Sequence, residues 1–211
     1  MGAIIFLDYA GVALFAATGA LAASRKELDI VGFAFLGAVT GIGGGTARDL
    51  ILGVPVFWVE QPVFILVCAA TAALVYVAAH LIESRYRLLL WLDAVALSAY
   101  GVFGAYKGLM ATESASVAVV MGMITGTLGG ILRDVLAGEP SVLMRPEIYV
   151  AAAMAGAAAF VAAQAAGLPL SLAAGAGFLL ALGLRSGALH FGWRFPRYRP
   201  RPGRNPKGPD R

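Results

Sequence analysis

The sequence predicts an all-α integral membrane protein with seven transmembrane helices, two inverted three-helix repeats followed by a seventh helix. Three observations carry that prediction. The 211-residue chain is 60% hydrophobic and 13% charged, a balance foreign to an ordinary soluble domain. Seven stretches reach the roughly 20 mainly apolar residues that a spanning helix needs. One motif occurs twice: Thr40-Gly-Ile-Gly-Gly-Gly-Thr-Ala-Arg48-Asp49 returns as Thr125-Gly-Thr-Leu-Gly-Gly-Ile-Leu-Arg133-Asp134. The offset, 85 residues from Arg48 to Arg133, also carries Asp8 onto Asp93, Gly19 onto Gly104, Gly53 onto Gly138 and Pro55 onto Pro140.

The first stretch, about Ile4 to Ala23, has no basic segment before it and reads as a retained span, not a cleaved signal peptide. The second, Ile30 to Leu52, holds the first motif, and the fifth, Ser116 to Ala137, holds its copy. The fourth runs from about Leu88 to Lys107. The third, sixth and seventh start on prolines (Pro62 to Ile82, Pro146 to Ala166, Pro169 to Leu189). Proline suits a first helical turn because its missing N–H would have no helical partner there. Connections are short, so neighbouring helices are expected to be antiparallel. These boundaries divide the chain into a first repeat over 1–84, a second over 85–167, a seventh helix over 168–190 and a basic tail over 191–211.

Lys and Arg in short loops stay cytoplasmic. Arg25 and Lys26 follow the first stretch, Arg85 and Arg87 the third, Arg145 the fifth, and Arg194, Arg197, Arg199, Arg201, Arg204, Lys207 and Arg211 the seventh. The amino terminus is therefore expected outside and the carboxyl terminus in the cytoplasm. Three helices per repeat is an odd number, so the second copy enters from the opposite side and the two are expected to form an inverted pair. Gly183 and Gly187 give the seventh stretch a small-xxx-small face for close packing, within the protomer or against a neighbour. The segment from Trp193 to Arg211 is rich in Pro and Arg with little to bury, and is expected to be a disordered tail.

The glycines admit two readings. Gly37, Gly41 and Gly45, like Gly122, Gly126 and Gly130, are spaced four apart and make a groove for another backbone. Gly43 and Gly44 lie off that groove and cost roughly 1 kcal/mol each in a helix. The sharper reading is that Gly43, Gly44 and Gly45, with Gly129 and Gly130, loosen or break their helices near the membrane midplane. Broken backbone is tolerated there only against protein or a water-filled cavity. Carbonyls at the breaks, with the hydroxyls of Thr40 and Thr125, would then face a cation.

Arg48 and Asp49 are adjacent, and residues i and i+1 point to different sides of a helix. Each is therefore expected to have another partner. Depth matching pairs Asp8 with Arg48 and Asp93 with Arg133 as helix-locking ion pairs. Asp49 and Asp134 are left to meet a permeating ion or gate its path, or all four Arg and Asp residues are interior staples.

Other chemistry has little support. Cys68 is the one cysteine, so no internal disulfide forms. His80 and His190 are isolated near helix ends and read as interfacial, not metal-ligating. Lys107 reads as snorkelling to the outer interface, and Trp58, Trp91 and Trp193 as aromatic belts. No phosphate-binding loop, paired-histidine zinc motif or nucleophile elbow appears, so no enzyme activity, metal or cofactor is expected.

Two repeats, each with a glycine run ending in Arg-Asp, plus a seventh helix and a basic tail, resemble the prokaryotic trimeric intracellular cation (TRIC) channel family over about residues 4–189. The resemblance implies a homotrimer in membrane lipid with one pore per protomer, permeable to K+ or Na+ and lined by kinked second and fifth helices. It makes Gly43, Gly44, Gly45, Gly129 and Gly130 hinges, and the neighbouring Thr, Arg and Asp residues pore-wall candidates. Leu128 stands where the first copy has Gly43, so the two hinges are expected to differ. The lipid-binding Lys-Glu motif of animal members is not evident. The bacterial family is also labelled a glycine transporter, and a transporter of glycine or another small amino acid is the alternative.

Overall fold

The computed structural model describes residues 2–82, 84–144 and 147–196. Long helices occupy all seven apolar stretches: α1 (Gly2–Arg25), α2 (Ile30–Leu52), α4 (Val63–Ala78), α5 (Arg85–Thr112), α6 (Ala115–Leu136), α7 (Val150–Ala165) and α8 (Leu170–Phe191), with a one-turn helix, α3 (Phe57–Glu60), between α2 and α4. The described residues contain no strand. Among the described residues, five helices are long and apolar enough to cross a membrane, namely α2, α4 with its 3-10 extension to Leu81, α5, α6 and α8, while α7 is apolar but shorter.

Local chemistry sets the ends. Asp29 caps α2 by accepting from Gly32 N at 2.8 Å, satisfying one of the N–H groups that a helix start leaves unpaired. Ser84 and Ser114 do the same for α5 and α6. Gly53 (φ 66°) and Gly138 (φ 62°) turn the chain in the left-handed conformation after α2 and α6, where glycine alone carries no Cβ penalty. Pro62 and Pro169 stand at the cap positions of α4 and α8, one place before the first turn. Pro146, Arg145 and the tail from Arg197 onward lie outside the described residues. α5 extends past the expected Lys107 to Thr112, and Glu113 ends it in the left-handed conformation (φ 53°).

Helices α1, α2 and α4 pack together, as do α5, α6 and α7; α1 packs on α5, α2 crosses α6, and α8 lies on α5 and α7. The contacts recur at the 85-residue offset. A methyl placed on Gly44 would lie 2.5 Å from the carbonyl oxygen of Thr125, and one on Gly129 would lie 2.5 Å from that of Thr40. Gly41 meets the carbonyl of Val12, and Gly126 meets that of Leu97.

These contacts correct the expected break. Both α2 and α6 are helical throughout, Gly43 to Gly45 and Gly129 to Gly130 included. The glycine cost is offset by close helix crossing: Gly44 and Gly129 admit the facing backbone, Gly45 admits the Phe57 ring, Gly43 lies against Leu132, and Gly130 leaves room for the Tyr149 hydroxyl and Asp93. Backbone approach of this kind yields dispersion contacts that a Cβ would forbid. On α8, Gly177 packs on Gly156 of α7, while Gly183 faces open space and Gly187 meets Trp193.

Candidate functional site

Each Arg-Asp dipeptide lies in the last turns of its helix, where α2 or α6 hands the chain to a short loop. Both arginines are buried, Arg48 at 2% and Arg133 at 1% exposure. Arg48 donates to Asp49 Oδ1 through Nε at 2.7 Å, with Nη2 also at 2.7 Å. Arg133 donates to Asp134 Oδ1 through Nε at 3.0 Å and Nη2 at 2.8 Å. Neighbours in sequence therefore do neutralise each other, contrary to the expectation from helix spacing. The guanidinium sits on a long flexible stem that curls back, and either charge alone in an apolar surrounding would be far costlier than that bend.

The second carboxylate oxygen holds the following loop. Asp49 Oδ2 accepts from Phe57 N at 3.0 Å, and Asp134 Oδ2 accepts from Val142 N at 2.9 Å. Phe57 opens α3, and Val142 opens a 3-10 turn through Met144. The two aspartates thus clamp equivalent loops, as partly satisfied interior groups.

Beyond that the two ends differ. Arg133 Nη1 also donates to Asp93 Oδ1 at 2.7 Å and to Thr18 Oγ1 at 3.1 Å, so α1, α5 and α6 meet on one guanidinium. Arg48 instead lies beside the rings of Phe57 (5.8 Å to the centroid) and Phe103 (5.4 Å). The expected Asp8–Arg48 ion pair does not form among the described residues. Asp8 accepts from the Tyr100 hydroxyl at 2.8 Å. The offset supplies the reason, since Thr18 corresponds to Phe103 and Phe15 to Tyr100. Where Arg133 finds a hydroxyl, Arg48 finds a ring; where Asp8 accepts from Tyr100, the position equivalent to that tyrosine in the other repeat is Phe15, which has no hydroxyl to give.

Two cavities reach the aspartates of these pairs, and the smaller reaches Arg133 as well. The Arg48 end opens into one of about 290 Å³, lined among others by Asp8, Asp49, Phe57, Glu60 and Lys107. The Arg133 end has one of about 10 Å³, lined among others by Ala22, Arg25, Asp134, Ala137 and Glu139. They are counterparts, because Asp49, Leu52, Val54, Phe57, Lys107 and Met110 map at the offset onto Asp134, Ala137, Glu139, Val142, Ala22 and Arg25. The smaller one holds about one water at most. Glu139 shuts it, paired with Arg25 Nη2 at 3.1 Å and Lys26 Nζ at 3.5 Å.

Thr40 and Thr125 lie buried between helices, each donating to the carbonyl four residues back (Leu36 O and Met121 O, 2.6 Å), and neither lines the two end cavities. Lys107, exposed and inside α5 instead of at its end, approaches Phe103 at 5.7 Å. Sequence reasoning missed Thr18, Tyr100, Phe103 and Tyr149, which a comparison of the two repeats position by position reveals. It also passed over Arg185, a lone arginine inside an apolar helix, which is itself a functional signal.

A family model described as "Glycine transporter" matches the chain twice, over residues 5–80 and 90–165. The UPF0126 inner membrane protein YadS of Escherichia coli (strain K12) is 37% identical over 201 residues, covering 92% of this chain and 96% of the relative. The solved structure of the TRIC trimeric intracellular cation channel orthologue from Rhodobacter sphaeroides superposes with a TM-score of 0.89 at 53% identity, covering 92% of this chain and all of that one. A second, described under the structural basis for conductance through TRIC cation channels, gives 0.83 at 28% identity over 93% of this chain and 98% of its own.

Proposed function

From the premise that this chain belongs to the prokaryotic TRIC channel family, a family of multi-pass bacterial membrane proteins, we propose that it is a potassium-permeable channel with one path per protomer along the α2–α6 crossing. Its likeness to TRIC cation channels supports a cation channel and a non-enzymatic role. The observation that carries the finer reading is the pair of equivalent cavities, one reaching Asp49, the partner of buried Arg48, and the other reaching Arg133 and Asp134. An arginine in a low-dielectric passage opposes a cation directly, and the more so the less water screens it. Conduction therefore requires both guanidiniums to swing aside, leaving carboxylates to meet K+ or Na+. No resident cofactor is part of the scheme.

The membrane placement follows the basic residues. Arg85 Nη1 donates to Ser24 O at 3.4 Å, and Arg25 lies over the Tyr86 ring at 4.6 Å, so the basic loops meet at the Arg133 end. We take that end as cytoplasmic and the Arg48 cavity as the outer vestibule. The swapped contacts Gly44 with Thr125 and Gly129 with Thr40 fit a pseudo-twofold axis in the membrane plane, hence seven spans in two inverted repeats plus α8. The trimeric state of the TRIC neighbours supports a homotrimer.

The competing reading, transport of glycine, rests on half-helix termini that would hold a carboxylate and an amine, and continuous α2 and α6 do not supply them. Potassium flux into liposomes containing the purified protein, with glycine counterflow in the same vesicles, separates the two. Uncoupled flux altered by Asp134→Asn and Gly44→Ala, without counterflow, is expected; counterflow without uncoupled potassium current would overturn the channel.

A further inference from the structure

Among the described residues, Asp93 Oδ2 is buried without a hydrogen-bond partner, and so are Nε and Nη2 of Arg185. Arg185 is 0% exposed in α8. Tyr149 touches both groups: its hydroxyl donates to Asp93 Oδ1 at 3.5 Å, and its ring centroid is 5.0 Å from the Arg185 guanidinium carbon. The remaining Arg185 nitrogen, Nη1, donates to Glu147 Oε2 at 2.8 Å, and the backbone of Glu147 pairs antiparallel with that of Arg194 just beyond α8. Idle donors and an idle acceptor on either side of one tyrosine are an expensive arrangement in a buried site, and such groups ordinarily find partners.

We propose that Tyr149 and Arg185 are a second seat for Asp93, taken up when Arg133 releases it, so that α8, which lies outside the two repeats, sets how readily the Arg133 end opens. With Arg133 at 2.7 Å, Asp93 gains little from a tyrosine hydroxyl at 3.5 Å. Once Arg133 leaves, Asp93 is a bare buried carboxylate, and the idle donors of Arg185 with the Tyr149 hydroxyl are what can hold it. A group that contributes little to one state and much to the other shifts the equilibrium between them. Tyr149 and Arg185 thus act as positioning residues, acting through Asp93. The Arg48 end has no such seat: Phe64 occupies the position equivalent to Tyr149, and Asp8 is served by Tyr100 of α5. The meaning of opening rests on the channel reading; the exchange of partners does not.

Two readouts on the full-length protein in liposomes test it: potassium flux, and the rate at which a water-soluble thiol reagent modifies Ala137→Cys in a Cys68→Ala background. Tyr149→Phe and Arg185→Gln are each expected to lower both rates, about three- to tenfold for loss of a hydrogen bond that matters in one state only. Glu147→Gln weakens the anchor of Arg185 and is expected to raise both. Phe15→Tyr puts a hydroxyl at the position equivalent to Tyr100 and is expected to restore Tyr149→Phe. General loosening of the fold would move every variant in one direction. The proposal is overturned if Glu147→Gln and Tyr149→Phe shift the rates the same way, or if Phe15→Tyr restores nothing; neither outcome depends on Arg185→Gln folding. Modification rates that move as expected in a protein without potassium flux would retire the channel reading and keep the exchange. Flux with unmoved modification rates would retire the exchange alone.

Discussion

The two ends of the α2–α6 crossing are built on one plan and finished differently. Both have an Arg-Asp dipeptide whose aspartate clamps the next loop. At the Arg133 end the guanidinium is also bonded to Asp93 and Thr18, and the cavity beyond it is nearly closed. At the Arg48 end two aromatic rings replace those partners and a cavity of about 290 Å³ remains. Duplication therefore fixes where the charges stand, while a few diverged positions (Thr18 against Phe103, Phe15 against Tyr100, Phe64 against Tyr149) decide how tightly each is held.

That contrast is broken most forcefully by removing the arginines. Arg133→Gln takes from Asp93 its partner at 2.7 Å and leaves it only the seat at Tyr149 and Arg185, and is expected to cost up to about 3–5 kcal/mol, the scale for breaking a buried pair. Arg48→Gln should cost less, since Asp49 keeps its bond from Phe57 N and Asp8 its bond from Tyr100. Thermal unfolding in detergent reads the difference, and equal losses would show that the extra partners of Arg133 add nothing.

Gly44→Ala and Gly129→Ala come next and sharpen the symmetry instead. Each methyl meets a carbonyl oxygen at 2.5 Å, so each should cost about 1–3 kcal/mol as an overpacking change, with similar shifts in melting temperature. A large inequality would mean the crossing is not twofold in its energetics. Tyr100→Phe removes the hydroxyl from Asp8 and is expected to cost about 0.5–1.5 kcal/mol, seen in the same melting assay. Gly183→Ala, with nothing within 4 Å of the added methyl, should be neutral or stabilising by up to about 1 kcal/mol in the isolated protomer; a loss seen only in the intact oligomer would place α8 at a subunit contact.

The helices were legible because each is a long apolar run bounded by glycine, proline or a capping side chain, all local signals. α3 was not, because Phe57–Glu60 is organised by the Asp49 carboxylate eight residues away. Of the two readings of the glycine runs, a break counts their cost on one helix only, whereas the offsetting contact that favours close packing lies on α6 for Gly44 and on α2 for Gly129. Arg48 and Asp49 were kept apart by spacing alone, which ignores the reach of an arginine stem. Asp8 was assigned Arg48 by depth, and its actual partner, Tyr100, is 92 residues distant. Depth along a helix does not say which face a neighbour presents.

The most direct test of the proposed path is potassium flux through Leu52→Cys, in a Cys68→Ala background, before and after a positively charged thiol reagent has fully modified it. Leu52 lines the open vestibule at the position equivalent to Ala137. Cations that pass Asp49 and Arg48 would meet the added charge, and the account predicts that flux falls severalfold on modification. Complete modification with unchanged flux would contradict it, because the ions would then be crossing somewhere else.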